Sequence, residues 1–235
     1  MLKLPLELKR KIYTDVLGGR RILIRLNETK GIYGDAPHNF TSLLATSRQL
    51  YVEANPTFWS TNSFAFGHHL AFGAWMKKRN KAEKVALRSL GFVMDLTTYS
   101  QLWLKSLSER VIKQLPNLVN LHLGIYRFIF GSDYGSEYDF GDIPDSPHDV
   151  YIQDSNLAPV RNLAKLPLAN VEVDMLLEYP WKFLTGDVWI TETNRWNESQ
   201  RQQYADSIKR MLLDPDPSGT EARLKAERVA RMEGS

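Results

Sequence analysis

The sequence of 235 residues contains no cysteine. This absence excludes disulfide bonds, thiol catalysis and cysteine-ligated zinc. No apolar run approaches the roughly 18 residues that a membrane-spanning helix requires. The first five residues are too few, and too soon interrupted by charge, to act as a signal peptide. We therefore expect an intracellular protein, in the cytoplasm or the nucleus, that does not bind membranes.

The signatures of common enzymes are missing as well. The chain has no HExxH zinc motif, no GxSxG nucleophile elbow and no GxxxxGKS phosphate loop. Asp139-Phe140-Gly141 matches a kinase metal motif by its letters, but no glycine-rich loop or HRD segment accompanies it. We therefore expect no catalytic residues, no cofactor and no bound metal, and a protein that is not an enzyme.

Charge is distributed unevenly along the chain. The sequence has 30 Lys and Arg residues and 27 Asp and Glu residues, for a net charge of +3. Seven of these acids lie in residues 132–155, which contain no Lys or Arg; the rest of the chain keeps 20 acids and a balance of +10. The spacing of the seven acids matches no EF-hand loop, so we expect a solvated or protein-binding insert. This uneven charge distribution affects which partners the protein binds, and it does not determine the fold.

The amino-terminal part predicts two helices and two strands. Residues 4–17 are typical of a helix that ends at Gly18-Gly19, and residues 21–26 predict one strand of a small hairpin. A second helix should begin at Asn39 or Thr41 and end before Pro56, which lacks a backbone N–H. Phe64 and Phe66 alternate with small residues, as in a half-buried strand. In the first helix the residues expected to form a buried stripe are Leu8, Ile12, Tyr13, Val16 and Leu17.

From these periodicities we predict one buried cluster in the amino-terminal part. Its expected members are Leu8, Ile12, Leu43, Leu44, Leu50, Trp59, Phe64 and Phe66.

The remaining sequence repeats a pattern of helix followed by strand. Strands are predicted at Val85–Met94, Leu118–Ile125 and Asn170–Leu177, each after a helix. Short helix–strand steps imply parallel strands with right-handed crossovers, and hence an α/β fold. The segment LPNLVNLHLGI is similar to one unit of a leucine-rich repeat. Because the strands begin 33 and 52 residues apart, we expect a short irregular parallel sheet and not a true solenoid. The helices are predicted at residues 69–79, 99–115, 157–166, 198–213 and 220–232.

These patterns divide the chain into three expected parts. Residues 1–66 form the first part, and residues 67–213 form a helix–strand unit that carries the acidic insert. Residues 214–235 form a charged helical tail.

Two segments of the first part resemble a family of fungal F-box-like proteins. LPLELKRKIY, which begins at Leu4, corresponds to the family's LPxELRxxIY segment. TSRQLYVEA, which begins at Thr46, corresponds to its second segment, followed by Phe58-Trp59 and by Asn62-Ser63-Phe64. Ser47 replaces the family's usual cysteine.

The resemblance implies a non-enzymatic adaptor that recognises a substrate protein for a ubiquitin ligase. An F-box docks on a Skp1-type adaptor through apolar residues of its helices. The matching residues here are Leu4, Pro5, Leu8 and Ile12. The alternative is that these side chains pack against the second helix of the same chain.

The predicted sheet also suggests a second binding surface. In an open parallel sheet, the segments after the carboxyl ends of neighbouring strands share one edge, where ligands collect. That edge would be aromatic and acidic, which suits a protein partner; the alternative is that its aromatic side chains fold inward as lids. The residues expected there are Asp95, Tyr126, Glu178, Tyr179 and Trp181.

Nucleic-acid binding is the alternative function, with the acidic insert as a regulatory loop. It would require basic residues on one face with exposed aromatic rings between them. The nearby rings of Tyr13, Phe72 and Trp75 fall on apolar stripes, so we expect them in the core. The densest basic clusters are Lys77, Lys78, Arg79, Lys81, Lys84 and Arg88, and Lys9, Arg10, Lys11, Arg20 and Arg21.

Overall fold

A six-stranded sheet lies at the centre of an α/β fold. The computed structural model describes residues 4–27, 31–35, 42–95, 100–126, 157–175 and 198–216, with a few residues between 219 and 230. The strands are β1 Arg21–Asn27, β2 Gly31–Asp35, β3 Ser63–Phe66, β4 Ser89–Asp95, β5 Asn120–Tyr126 and β6 Asn170–Met175. The helices are α1 Leu6–Leu17, α2 Ser42–Thr46, α3 Arg48–Thr61, α4 His69–Lys78, α5 Lys81–Ala86, α6 Ser100–Ser106, α7 Glu109–Ile112, α8 Ala158–Leu163 and α9 Glu198–Leu213.

The strand order in the sheet is β2-β1-β3-β4-β5-β6. Strands β1, β3, β4, β5 and β6 are parallel, and β2 is antiparallel to β1 as the second strand of a hairpin. The predicted α/β fold with a parallel sheet is therefore confirmed. Because the parallel strands follow one another in chain order, crossovers of one hand place their helices on the same face of the sheet.

Large apolar side chains cover the face of the sheet on which these helices lie, which we call the first face. Phe64 of β3 lies in register with Ile22 of β1 and Leu90 of β4, and the row continues to Leu121 and Val171. All five side chains are buried in a single core that also contains residues of α1, α3, α4, α6, α8 and α9. The alternation of side chains along a strand sends the intervening residues to a second face.

Aromatic rings in contact join the helices to the first face. The ring centroids of Trp59 and Phe64 are 5.0 Å apart, and those of Phe64 and Trp75 are 5.3 Å apart. The Arg79 guanidinium lies 5.1 Å from the centroid of Trp59 and 5.6 Å from that of Trp75. It also forms an ion pair of 3.7 Å with the nearly buried Glu83. Arg79 thus covers one side of the aromatic cluster formed by Trp59, Phe64 and Trp75.

Asn62 connects three elements of the amino-terminal part. Its fully buried side chain donates hydrogen bonds from Nδ2 to the carbonyl oxygens of Leu17 and Phe58, at 2.6 and 2.7 Å. Its Oδ1 accepts a hydrogen bond of 3.0 Å from the backbone N–H of Arg20. One amide therefore holds the end of α1, the end of α3 and the start of β1.

The backbone reinforces this junction through a close approach at Gly18. A Cβ atom at Gly18 would lie 2.6 Å from Oγ1 of Thr61, so only glycine fits. The N–H of Gly19 donates to the carbonyl of Thr61 at 3.0 Å. Gly19 has a φ of 72°, which glycine adopts without strain.

The second predicted helix differs from expectation at its start. It is divided into α2 and α3, and Ser47 begins α3 by accepting a hydrogen bond of 3.1 Å on Oγ from the Leu50 N–H. The expected caps, Asn39 and Thr41, lie outside the described residues.

The prediction that Pro56 ends this helix was wrong, because α3 continues through Pro56 to Thr61. Proline cannot donate to the carbonyl of Val52, the residue four positions earlier. Pro56 and Val52 are both exposed, so water can solvate that carbonyl. Burial of Phe58 and Trp59 in the next turn stabilises the helix beyond the proline.

The strand predicted at Val85–Met94 begins too early, because Val85 and Ala86 belong to α5 and β4 begins at Ser89. Asn80 and Glu83 form a capping box: Oδ1 of Asn80 accepts from the Glu83 N–H, and Oε2 of Glu83 accepts from the Asn80 N–H. These bonds begin α5, so β4 starts only at Ser89. The helix predicted at residues 99–115 is likewise two helices, α6 and α7, separated at Ser108.

The other elements fall close to their predicted positions. β5 and β6 occur at the predicted strands with slightly different boundaries, and α4, α8 and α9 lie within predicted helices. The sheet is continuous across the expected boundary at residue 66, because β3 pairs directly with β4.

The predicted amino-terminal core is correct for its aromatic members and wrong for α1. Trp59, Phe64 and Phe66 are buried, and Leu44 and Leu50 pack partly buried against the core. Leu8 and Ile12 are exposed, as is Val16 of the expected stripe. Only Tyr13 and Leu17 of that stripe are buried, because α3 covers one side of α1. The side chain of Leu43 lies outside the described residues.

Replacing Trp59 with alanine should lower the free energy of unfolding by about 3–5 kcal/mol, because it removes a large buried ring and leaves a cavity. Urea denaturation followed by far-ultraviolet circular dichroism measures this loss. A loss below about 1 kcal/mol would contradict the packing described for the aromatic cluster.

Asn62→Ala should lower the free energy of unfolding by about 2–4 kcal/mol, since it leaves the Leu17 and Phe58 carbonyls without their side-chain donor. The control is Asn170→Ala, which removes one exposed hydrogen bond to Asn120 and should change stability by less than about 1 kcal/mol. If the two substitutions lower the free energy of unfolding equally in urea denaturation, the role described for Asn62 is wrong.

Candidate functional site

An apolar strip runs along the exposed side of α1. Leu8, Ile12 and Val16 are spaced four residues apart, so they lie one above another on the helix. Leu4, just before the helix, is exposed as well. We call these four side chains the α1 surface; their exposed fractions are Leu4 37%, Leu8 50%, Ile12 44% and Val16 46%.

Polar contacts fix the opposite side of α1 to α3. Oε2 of Glu53 accepts hydrogen bonds from Nζ of Lys9 at 2.9 Å and from the Tyr13 hydroxyl at 3.0 Å. Its Oε1 accepts a bond of 2.8 Å from Gln49. The hydrogen bonds from Gln49, Lys9 and Tyr13 hold the pKa of Glu53 below its usual range. The α1 surface is therefore held in a fixed orientation.

Three of the four residues matched to the adaptor-binding segment, Leu4, Leu8 and Ile12, belong to this surface. The fourth, Pro5, is exposed immediately before α1. The alternative expectation, in which these side chains pack against the second helix, was wrong for Leu8 and Ile12. Among the described residues, Tyr13 and Leu17 supply the buried apolar contacts of α1.

The predicted sheet edge is partly described. Asp95 and Tyr126 are paired in register at the carboxyl ends of β4 and β5, which are parallel as the prediction required. Their side chains, and Glu178, Tyr179 and Trp181 after β6, lie outside the described residues. The binding role of this edge stays a prediction.

Three of the six residues in the densest basic cluster are engaged in contacts within the chain. Besides the contacts of Arg79, Nζ of Lys84 donates to Gln114 at 2.7 Å and Arg88 donates to the carbonyl of Asn117 at 3.2 Å. The rings of Tyr13, Phe72 and Trp75 are buried, as expected. These positions do not favour base stacking at this cluster.

A polar groove lies on the second face of the sheet, near the amino ends of its strands. It has a volume of about 430 Å³ and is lined by Arg21, Ser63, Ser89, Asn120, His122 and Glu172, among others. The groove was not predicted from the sequence, because its lining comes from five separate strands. The available signal was the alternation of small residues with large apolar ones in β3 and β4.

Other kinds of site can be assessed for the described part of the chain. There, no group of three or more His, Asp or Glu side chains is placed to hold a metal ion. In the same part, no helix has both the length and the apolar character needed to cross a membrane. No protein-family model, curated protein or solved structure matches this chain.

Two adjacent histidines begin α4, as the sequence predicted. Nδ1 of His68 accepts a hydrogen bond of 3.1 Å from the Leu70 N–H, and the two imidazole rings stack with centroids 4.3 Å apart. Burial, with a smaller contribution from His68, lowers the pKa of His69 to about 4. His69 also packs edge-on against the buried ring of Trp103.

The shifted pKa of His69 predicts a loss of stability in mild acid. Between pH 6.5 and about 4 the folded protein keeps His69 neutral while the unfolded chain protonates it. Unfolding then takes up a proton, so stability should fall as the pH decreases through this window.

The melting temperature measured from pH 7 to pH 4 checks this expectation. His69→Gln should flatten part of the dependence, because glutamine does not titrate. An unchanged pH dependence in this variant would contradict the assignment.

Proposed function

We propose that this chain is a non-enzymatic protein-interaction module whose α1 surface docks on a Skp1-type adaptor, as in F-box-like proteins. The observation that supports the proposal is the exposure of Leu8, Ile12 and Val16 as one apolar strip. Exposed apolar patches with polar rims commonly mark sites of protein interaction.

The energetics of the α1 surface are suitable for such docking. Complete burial of a leucine or isoleucine side chain contributes about 1.5–3 kcal/mol, so burying the exposed half of Leu8 or Ile12 would contribute roughly 1 kcal/mol. Summed over the strip, this supplies an apolar centre for an interface. The hydrogen bonds of Glu53 to Lys9 and Tyr13 hold the helix in place, which reduces the entropy lost on binding.

Exposed charges of both signs accompany the strip on α1. Arg10 and Lys11 are exposed there, and so are Glu7 and Asp15. Such a mixed set of charges suits a partner surface that also carries both signs. In this proposal the α/β sheet carries the substrate-binding residues, of which Asp95 and Tyr126 remain candidates.

Leu8→Asp and Ile12→Asp should each weaken binding to a purified Skp1-type protein by at least about tenfold, since each places a charge in the apolar centre. Isothermal titration calorimetry at one ionic strength measures the dissociation constants. Both side chains are half exposed, so melting temperatures should change by no more than a few degrees.

The matched control is Leu70→Asp, which changes a similarly exposed leucine on α4, away from the α1 surface. It should bind like the wild type. If the wild-type chain does not bind a Skp1-type protein, or if Leu8→Asp binds as tightly as Leu70→Asp, the proposal is wrong.

A further inference from the structure

Serine side chains line one side of the polar groove. Ser63 and Ser89 are paired in register on the second face of the sheet, and both line the groove. Ala65 and Gly91 are paired in the next row of the same face. The groove therefore offers a bound group hydroxyl hydrogen bonds.

One end of the groove carries an unpaired cation. The exposed Arg21 side chain reaches from β1 across β3, and its Nη2 is 3.7 Å from the position of a Cβ at Gly91. Within the described part of the chain, Arg21 has no hydrogen-bond or ion-pair partner. A free guanidinium offers two parallel N–H donors that match a carboxylate.

Glu172 lines the other end of the groove, and Asp174 lies two residues further along the same strand. Glu172 and Asp174 alternate on β6, so both project to the second face. His122 lies between them, with Nδ1 at 3.1 Å from Oε2 of Glu172 and Nε2 at 3.3 Å from Oδ2 of Asp174. The carboxylate side chains remain 79% and 59% exposed. Both carboxylates can therefore still accept from a ligand cation.

The separation of these charges defines a ligand length. The Arg21 guanidinium lies over β4, and Glu172 lies on β6, two strands away in the same row. At about 4.8 Å per strand, the strands that lie beneath these two groups are roughly 10 Å apart. Three residues of extended peptide span about the same distance, at roughly 3.4 Å per residue.

We infer that the polar groove binds a short zwitterionic peptide, with its carboxylate on Arg21 and its ammonium group on Glu172 and Asp174. The volume of the groove is within the range of small-ligand pockets. The two carboxylates disfavour a phosphate group or a nucleic-acid backbone. The charges can come from the termini of a free tripeptide or from acidic and basic side chains of a protein segment. This inference is independent of adaptor docking at α1.

The test uses defined peptides and the full chain labelled with ¹⁵N. Tri-alanine represents a free peptide, and acetyl-Glu-Ala-Ala-Lys-amide represents a protein segment. N-acetyl-tri-alanine lacks the ammonium group, and tri-alanine amide lacks the carboxylate. At least one zwitterionic probe should shift the backbone resonances of Gly91, His122 and Gly124, and the corresponding one-charge peptides should bind roughly tenfold more weakly. The probe that binds identifies the source of the charges.

Variants assign the two ends of the groove. Arg21→Gln and Glu172→Gln should each weaken binding of the zwitterionic probe roughly tenfold. Lys77→Gln, which changes an exposed residue outside the groove, should leave the affinity unchanged. Nuclear magnetic resonance spectra without peptide verify that each variant is folded, and Asp174→Asn provides a second change at the acidic end.

Three results would overturn the inference. One is the absence of shifts with both zwitterionic probes. Another is equal affinity for the one-charge and zwitterionic peptides. The third is binding of inorganic phosphate that depends on Arg21 and matches or exceeds that of the zwitterionic probes, which would make the groove an anion site.

Discussion

The buried amide of Asn62 connects the amino-terminal helices to the sheet. It binds the last carbonyl of α1, a carbonyl in the last turn of α3 and the N–H of Arg20. Because Arg21 follows directly, the same junction sets the start of β1 and the position of the groove's cation. It also fixes the end of the helix that carries the α1 surface. Both proposed binding surfaces therefore depend on one set of hydrogen bonds.

The features predicted correctly follow from local patterns. Short apolar segments that each followed a helix implied parallel strands, and β4, β5 and β6 are parallel neighbours. The alternation around Phe64 and Phe66 located β3, and the alternation from Arg21 to Leu26 located β1. Asn62 directly precedes β3, and its buried hydrogen bonds give a physical reason for an asparagine at that position. Such patterns are set by residues close in the chain.

The features predicted incorrectly depend on contacts that periodicity does not contain. Leu8 and Ile12 have the spacing of a buried stripe, but spacing does not tell whether the same chain or a partner covers them. The capping box of Asn80 and Glu83 moved the start of β4, and burial of Phe58 and Trp59 carried α3 past Pro56. The polar groove depends on register, which brings Arg21, Gly91 and Glu172 together from three strands. No local segment contains that information.

The sequential order of the parallel strands also affects how the fold can change in evolution. Each crossover connects strands that are neighbours in the sheet, so a longer connection alters no pairing. The entropic cost of closing a flexible loop grows slowly, by about 0.6 kcal/mol for each doubling of its length. The longest connection between parallel strands joins β5 to β6 and contains the acidic residues 132–155. A lineage can therefore acquire, exchange or lose recognition segments at such connections while inheriting the same sheet.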